Sequence, residues 1–211
     1  MIRIILFGAP GAGKGTISGI LEKKYNYKKI STGDLIRDEI RSNSIIGKKV
    51  RSVVDKGELV SDDIIIEIVK NRVTSKYINE GYIMDGFPRT IIQAKELSKM
   101  VTDSEVAIYL KVEDEKVIIN RLLSRVICNN CGAIFNTKNK PPKKEGICDI
   151  CGGILEKRTD DNEGAIRERL RVYREVTEPI INYYEDKGVL NRVDASISVR
   201  EVLKKIGEIL N

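Results

Sequence analysis

The chain has 211 residues, of which 41% are hydrophobic and 32% are charged, so one large domain with inserts or two small domains would fit. It contains no histidine, which excludes Ser-His and Cys-His nucleophilic pairs, His-ligated metals and imidazole acid–base catalysis. The net charge of +6, from 37 basic and 31 acidic residues, indicates an anionic partner, which could be a phosphate ligand, a nucleic acid or an acidic surface.

The N-terminus carries no sign of a membrane span or a signal peptide. No run approaches the ~18 apolar residues of a membrane helix, and the short apolar run Ile2–Phe7 leads directly into glycines. We therefore expect a cytoplasmic protein in a reducing compartment, where paired cysteines bind metal more often than they form disulfides.

Strands and helices alternate along most of the chain. The predicted strands are Ile2–Phe7, Tyr27–Ile30, Gly81–Asp85, Val106–Lys111 and Gly188–Val193. The predicted helices are Lys14–Tyr25, a helix that begins with the capping box Ser31–Asp34, Val60–Tyr77 with Asp62 and Asp63 at its N-terminal end, Val112–Arg125 and Val199–Leu210. Strands separated by helices predict an α/β fold, with a parallel β-sheet covered by helices on both faces.

Two stretches interrupt this alternation. Residues 31–60 are helical but lie between strands. Residues 126–161 contain all four cysteines and the pair Pro141-Pro142. This composition is typical of a small insert stabilised by a metal ion and not of a strand in the central sheet. The sequence thus predicts one core with two inserts.

A glycine-rich loop follows the first strand and opens the first helix. Residues 8–16 read Gly-Ala-Pro-Gly-Ala-Gly-Lys-Gly-Thr, which fits the phosphate-binding pattern G-x-x-x-x-G-K. Backbone N–H groups, the helix N-terminus and Lys14 would all attract an anion. Gly15 stands where the general pattern has Ser or Thr, so the usual contact of a hydroxyl with magnesium is not assured.

This loop resembles the phosphate loop of adenylate kinases, and four further segments agree with that family in order and spacing. They are Ser31–Arg37, Asp85–Thr90 with Gln93, Arg121 with Arg125, and Arg158-x-Asp160-Asp161 followed by Arg167 and Arg169. The resemblance covers essentially the whole chain. It implies a reversible, Mg²⁺-dependent transfer of a phosphoryl group, ATP + AMP to 2 ADP. It also implies a core of residues 1–30, 61–123 and 162–211, an AMP-binding insert at 31–60 and a lid at 124–161.

Several arginines lie where a helix would bury them. On the predicted helix Val112–Arg125, Arg121 and Arg125 fall within the apolar arc at about 100° per residue, and Arg169 borders another apolar stripe. Buried cations need an anion, either a polyphosphate or a nearby carboxylate, and we favour the polyphosphate. The resemblance implies that Arg121 and Arg125 contact ATP, and that Arg158 and Arg169 hold AMP and the transferring group. The implied catalytic cations are Lys14, Arg89, Arg121, Arg125, Arg158 and Arg169.

A second nucleotide site is predicted around two strand ends. Arg89 follows a strand end, and the amide of Gln93 offers a donor and an acceptor that can pair with the edge of adenine. The resemblance implies that Asp85 orients magnesium-bound water. The AMP contacts that it implies are Thr32, Arg37, Glu58, Leu59, Val60, Gly86, Phe87, Pro88, Arg89, Gln93, Arg158 and Arg169.

On the ATP side, the resemblance implies contacts from the phosphate loop, from the lid and from a position near the C-terminus. These are Gly11, Ala12, Gly13, Lys14, Gly15, Thr16, Arg121, Arg125, Ile134, Phe135 and Ile197.

The four cysteines form two C-x-x-C hooks, Cys128 with Cys131 and Cys148 with Cys151, separated by 16 residues. This spacing is typical of a tetrahedral zinc site, and four thiolates leave no open position, so we expect structural and not catalytic zinc. Disulfides or free thiols are the alternatives. The resemblance agrees, since some adenylate kinases carry such a site in the lid.

Two other functions fit parts of this pattern. One is a different nucleoside-monophosphate kinase; the other is a nucleic-acid-dependent P-loop NTPase with a zinc ribbon. The second is disfavoured, because residues 124–161 carry seven basic and five acidic residues, which is a weak patch for a polyanion. We expect a monomer that acts on ATP, AMP and ADP, with no nucleic-acid or membrane partner.

Overall fold

The computed structural model describes residues 2–73, 81–100 and 104–210. Its central sheet consists of β1 (Ile2–Phe7), β2 (Lys28–Ser31), β3 (Tyr82–Asp85), β4 (Ser104–Lys111) and β8 (Leu190–Asp194). These strands are parallel and lie in the order β2-β3-β1-β4-β8. Leu6 and Ser31 both pair with Asp85, so the carboxyl ends of β1, β2 and β3 meet at one edge of the sheet.

Helices cover both faces of this sheet. The described helices are α1 (Lys14–Tyr25), α2 (Thr32–Arg41), α3 (Ile45–Lys56), α4 (Asp62–Arg72), α5 (Ile91–Met100), α6 (Glu115–Leu123), α7 (Glu163–Val172), α8 (Ile180–Asp186) and α9 (Val199–Leu210), of which α2 and α3 lie in the stretch 31–60. Successive side chains of a strand point to opposite faces, and Ile4 and Ile5 accordingly belong to two different buried clusters. The predicted α/β class is confirmed. No helix in the described ranges is long and apolar enough to cross a membrane.

The two interrupting stretches have different architectures. Residues 31–60 contain α2 and α3, which pack on each other. Residues 124–161 contain a small antiparallel sheet of β5 (Arg125–Cys128), β6 (Ile134–Asn136) and β7 (Leu155–Glu156), in the order β6-β5-β7. We call these two stretches the helical insert and the lid insert.

The helix predicted over Val112–Arg125 is shorter than expected, and the placement of Arg125 on it was wrong. Helix α6 ends at Leu123, and Arg125 begins strand β5. The hydroxyl of Ser124 donates to the carbonyl of Asn120 at 2.6 Å, and the β-branched Val126 and Ile127 that follow favour a strand. Arg121 remains on the last turn of α6, as predicted.

Other boundaries differ by a few residues. Glycines at positive φ, Gly81 (75°) and Gly188 (69°), precede β3 and β8, which therefore start later than predicted. Strand β2 is shifted one residue toward the C-terminus, and α4 spans Asp62–Arg72. The predicted end of that helix, residues 74–77, lies outside the described residues.

The C-terminal part of the core contains more helix than the pattern predicted. Helix α7 continues into a π-helical turn, Tyr173–Thr177, before α8 begins. The apolar stripe that Arg169 borders consists of Ile166, Leu170, Tyr173 and Ile180, and all four residues are buried.

Candidate nucleotide-binding site

A cavity of about 480 Å³ lies at the carboxyl ends of β1, β2 and β3, between the phosphate loop, the helical insert and the lid insert. Ligands of open α/β sheets bind at this edge. Every predicted nucleotide contact borders the cavity except Phe87, which is 1% exposed and packs in the core. The side chain of Phe87 is therefore not available to a nucleotide, whereas its neighbours Gly86 and Pro88 are at the cavity wall.

The phosphate loop joins β1 to α1 through a backbone that glycine permits. Gly8, Gly11 and Gly13 all have positive φ, and a Cβ on Gly8 would lie 2.7 Å from the carbonyl oxygen of Leu110. The Nζ of Lys14 donates to the carbonyls of Gly8 and Ala9, at 2.6 and 3.0 Å. The loop thus holds its cation over the N-terminus of α1, where an anion binds favourably.

Burial and neighbouring cations change the acidity of this lysine. The pKa of Lys14 is lowered to about 8, mainly by desolvation and also by Arg89, Arg169 and Arg125, while Asp85 opposes the shift. The positive charges of Lys14 and these arginines repel one another, and an anion bound among them would reduce this repulsion.

Two aspartates after the lid insert organise two of the arginines. Arg125 makes a bidentate pair with Asp161. Arg169 donates to the carboxylate of Asp161 at 3.0 Å and to the backbone carbonyl of Asp160 at 3.1 Å, and it forms an ion pair with the Asp160 carboxylate at 3.0 Å. Burial raises the pKa of Asp160, but Arg169 and Arg158 outweigh it, so that the pKa lies below its usual value. Arg125 and Arg169 therefore form the ion pairs with carboxylates that the sequence left as an alternative, and they also border the cavity. Their contact with a polyphosphate stays a prediction.

Arg121 and Arg158 line the same cavity but have no carboxylate partner among the described ion pairs. The guanidinium of Arg121 donates to the carbonyl of Ala195, at 3.1 and 3.2 Å. The Nε of Arg158 is buried and lacks a hydrogen-bond partner within the described ranges. Desolvation, together with Arg125 and Arg37, lowers the pKa of Arg158 to about 9. A buried donor without an acceptor is unfavourable and favours an anionic ligand here.

The second half of the cavity lies around Gly86. Thr32 and the Nε of Arg89 both donate to the carbonyl of Gly86 at 2.8 Å. Gly86 has a φ of 79°, which favours glycine, and a Cβ there would lie 2.9 Å from a terminal nitrogen of Arg89. Burial and the charge of Arg169 lower the pKa of Arg89 to about 10. Arg37 pairs with Asp34 on the first turn of α2.

The loop after α3 completes this wall. A Cβ on Gly57 would lie 2.5 Å from the carbonyl oxygen of Ala165, which keeps the loop in contact with α7. Glu58, Leu59 and Val60 follow and border the cavity. The backbone N–H of Glu58 donates to the carbonyl of Val53 at 3.1 Å, so the contact that this residue can still offer through its backbone is its carbonyl.

The Gln93 amide is buried and bonded within the protein at both ends. Its Oε1 accepts from the backbone N–H of Arg89, and its Nε2 donates to Asp62, both at 2.8 Å. One hydrogen on Nε2 and one lone pair on Oε1 remain for a ligand.

Asp85, the predicted magnesium-associated residue, is 8% exposed and borders the cavity. Its Oδ2 accepts from the hydroxyl of Ser18, at 3.1 Å, on the second turn of α1. A carboxylate next to a phosphate loop is a suitable oxygen donor for Mg²⁺ or its bound water. Ser18 is fully buried and was not predicted.

Three apolar residues, Ile134, Phe135 and Ile197, border the cavity as predicted for a base pocket. Strand β6 of the lid insert reaches the phosphate loop, because a Cβ on Gly15 would lie 2.9 Å from Cδ1 of Ile134. The lid insert also contacts the helical insert: Arg41 donates to the carbonyl of Asn129 at 3.3 Å, and Thr159 donates to Asp55 at 2.8 Å.

The four cysteines meet at one end of the lid insert. Their Sγ atoms all lie within 4.8 Å of one another, with Cys128 and Cys151 3.4 Å apart and Cys131 and Cys148 3.6 Å apart. All four are free, so the disulfide alternative is wrong. Four sulfurs about 2.3 Å from one tetrahedral ion would be about 3.8 Å apart, so the donor set fits zinc. A Cβ on Gly153 would lie 2.9 Å from Cys128 Sγ, so glycine leaves the room this cluster occupies.

Some residues at the site gave no sequence signal. Nothing in the sequence distinguishes Ser18 from any other serine in a helix, and Asp62 was predicted only as an acidic residue at a helix N-terminus. Thr177 donates to the carbonyl of Arg89 at 3.2 Å, but it does so from a π-helical turn that periodicity does not predict.

The parallel sheet, the phosphate loop and the arginine-lined cavity define a P-loop nucleotide phosphotransferase. The sequence matches the family described as adenylate kinase over residues 6–189. It is 45% identical to an adenylate kinase of Caldicellulosiruptor saccharolyticus, covering 98% of this chain and 99% of the relative. It is 42% identical to adenylate kinases of Archaeoglobus fulgidus (99% and 98% covered) and Thermosipho africanus (99% of each). The chain belongs to the adenylate kinase family.

Proposed function

We propose that the cavity binds ATP and AMP together and that the chain catalyses the Mg²⁺-dependent reaction ATP + AMP to 2 ADP. The observation that carries this proposal is the set of side chains that line the cavity. The phosphate loop and Gln93 border one space together with the cationic side chains Lys14, Arg37, Arg89, Arg121, Arg125, Arg158 and Arg169. A triphosphate and a monophosphate bound next to each other need such a concentration of positive charge.

On the ATP side, the loop amides of residues 11–16 and Lys14 would hold the phosphates, with Arg121 and Arg125 beside them. Ile134, Phe135 and Ile197 would contact the base. The lid insert supports this arrangement, since β6 already lies against Gly15.

On the AMP side, Arg37 and Arg89 would bind the phosphate, and Thr32, Gly86, Pro88 and the segment 58–60 would enclose the nucleoside. Gln93 would contact the base. The side chain of Phe87 packs in the core and would not contact AMP.

Phosphoryl transfer requires in-line positioning and neutralisation of charge on the equatorial oxygens, with little covalent chemistry from the protein. Arg158 and Arg169, together with Arg89, would neutralise that charge between the two nucleotides. The bonds of Arg169 to Asp160 and Asp161, and of Arg89 to Gly86, fix these two side chains before the substrates bind, so they need little reorganisation at the moment of transfer. The contact between the two inserts would exclude water and suppress hydrolysis of ATP.

Magnesium bound with ATP would lower the charge of the β- and γ-phosphates. Asp85, held by Ser18, is the carboxylate that would receive its bound water. Zinc on Cys128, Cys131, Cys148 and Cys151 would be structural, because all four positions are filled by thiolates.

We further propose that residues 1–30, 61–123 and 162–211 act as the core, 31–60 as the AMP-binding insert and 124–161 as the zinc-bound lid. We also propose a cytoplasmic monomer, since clustered C-x-x-C cysteines that bind metal are typical of a reducing compartment.

A coupled assay with AMP, CMP, UMP and GMP as acceptors tests the proposed specificity. AMP is expected to give the highest kcat/KM. A preference for another monophosphate would assign the chain to a different nucleoside-monophosphate kinase activity. ATPase activity that depends on DNA or RNA, without transfer to AMP, would contradict the proposal altogether.

A further inference from the structure

Asp62 contacts the nucleotide site only through other side chains. It is the first residue of α4 and does not border the cavity. Its carboxylate accepts from the hydroxyl of Thr90, with both oxygens at 3.0 Å, and from Nε2 of Gln93 at 2.8 Å. The hydroxyl of Thr90 in turn accepts from the backbone N–H of Gln93 at 3.1 Å.

These contacts fix the orientation of the Gln93 amide group. Oε1 faces the backbone N–H of Arg89, and Nε2 faces the carboxylate of Asp62. A rotation of the amide by 180° would place its NH₂ against an N–H and its oxygen against a carboxylate, and both contacts would be repulsive. The network therefore leaves one orientation, with a free lone pair on Oε1 and a free hydrogen on Nε2.

This pair of free groups matches one class of purine. Adenine offers a 6-amino donor beside a ring-nitrogen acceptor, which fits an acceptor and a donor on an oriented amide. A 6-oxopurine carries an acceptor at position 6, which would face the lone pair of Oε1. An amide free to rotate could accommodate either base, whereas an oriented amide discriminates between them.

We propose that Asp62 is a positioning residue for base selection: it orients the Gln93 amide so that the acceptor site takes 6-aminopurine and rejects 6-oxopurine monophosphates. The proposal rests on the proposed role of Gln93 as the base contact in the AMP site. Asp62 itself touches no substrate.

The test compares steady-state kinetics with AMP and with IMP, which differ at position 6 and at the protonation of N1. Asp62→Ala leaves Nε2 of Gln93 without its acceptor. We expect the ratio of kcat/KM for AMP to that for IMP to fall about 5- to 20-fold, mainly through a higher KM for AMP, with an unchanged KM for ATP. Asp62→Asn keeps an oxygen acceptor and is expected to retain the ratio within about threefold.

Asp63→Ala is the matched control, because it removes the same charge from the same helical turn, where Asp63 is exposed. It is expected to leave the ratio unchanged. If Asp62→Ala does not fold, Asp62→Ser keeps a small polar side chain in the first turn of the helix but falls short of Nε2, and its ratio should fall in the same direction.

An unchanged ratio in a folded Asp62→Ala or Asp62→Ser variant overturns the proposal. An equal loss of activity on AMP and IMP overturns it as well, because it would show a purely structural role. Failure of the proposed function looks different, since the unmodified protein would then transfer no phosphoryl group to AMP.

Discussion

Arg125 donates from its Nε and from a terminal nitrogen to both carboxylate oxygens of Asp161, at 2.8 and 2.6 Å. The Asp161 side chain is 1% exposed, and the same carboxylate accepts from Arg169. One buried carboxylate thus sets the position of two cations that face the cavity. A nucleotide phosphate that enters meets guanidinium groups already aligned.

Replacement of Asp161 by Asn should therefore affect both stability and activity. The change keeps the volume but leaves two guanidinium groups without their shared negative charge. We expect a loss of about 2–4 kcal/mol in the free energy of unfolding and a kcat at least about tenfold lower. Urea denaturation and the coupled assay measure the two effects.

Glu163→Gln is the control for this change. Glu163 pairs with Arg167 at 2.7 Å, but their side chains are 68% and 66% exposed. Its effect on unfolding should stay within about 0.5 kcal/mol. An Asp161→Asn protein as stable as the unmodified chain would contradict the assigned role of Asp161.

Binding of ATP should be linked to proton uptake at Lys14. With a pKa of about 8, close to half of the Lys14 side chains are neutral at pH 8 in the ligand-free protein. An anion favours the protonated form, so we expect uptake of about half a proton per ATP bound at pH 8 and almost none at pH 6.5. Calorimetry in buffers with different ionisation enthalpies measures this number.

The control is Lys14→Arg, because a guanidinium keeps its proton at pH 8. In that variant the proton uptake assigned to Lys14 should disappear. Binding without proton uptake at pH 8 in the unmodified protein would show that the pKa of Lys14 is not lowered.

Gly15 and Ile134 should be energetically coupled. A methyl group on Gly15 would lie 2.9 Å from Cδ1 of Ile134, so Gly15→Ala requires the Ile134 side chain to move out of its present contact with the phosphate loop. We expect the KM for ATP to rise several-fold. In an Ile134→Ala background the obstacle is absent, and the same change should have little effect.

A double-mutant cycle with Gly15→Ala and Ile134→Ala measures this coupling. Gly19→Ala is a suitable control, since a Cβ there meets no atom within 4 Å. An effect of Gly15→Ala that is equal in both backgrounds would mean that Ile134 does not approach the loop in solution.

The cysteine cluster should bind one zinc ion per chain. Elemental analysis of the purified protein measures this stoichiometry. Cys128→Ser removes a buried ligand and should release the metal and lower the melting temperature. Ile150→Ser is the control, because Ile150 lies between Cys148 and Cys151 but is 66% exposed. A metal-free protein that melts at the same temperature would contradict a structural zinc site.

The sequence predicted the bounds of those helices and strands whose hydrophobic pattern is clear. Strand β1 and helices α1 and α9 have the predicted bounds, because an apolar run or an apolar stripe ends there at glycines or caps. The helical position predicted for Arg125 was wrong, because the helical spacing of apolar residues continues across Ser124 although the chain changes from helix to strand there. The arginine was nevertheless correctly expected to be partly buried, at 14% exposure.

Much of the site could be predicted because its groups occur in short motifs with fixed spacing, as in the phosphate loop and the cysteine hooks. The partners of these groups could not. Ser18 and Asp85 are 67 residues apart, and Asp62 and Gln93 are 31 apart, so only the fold brings them together. No local pattern distinguishes a serine or an aspartate that holds another side chain from one that meets solvent.

The central claim is that one cavity transfers a phosphoryl group from ATP to AMP. Chromatography of the nucleotides during incubation of the purified protein with ATP, AMP and Mg²⁺ tests it most directly. The account predicts that two ADP form for each AMP consumed, and that ATP is stable when AMP is omitted. Consumption of ATP with release of free phosphate, while AMP stays constant, would contradict it.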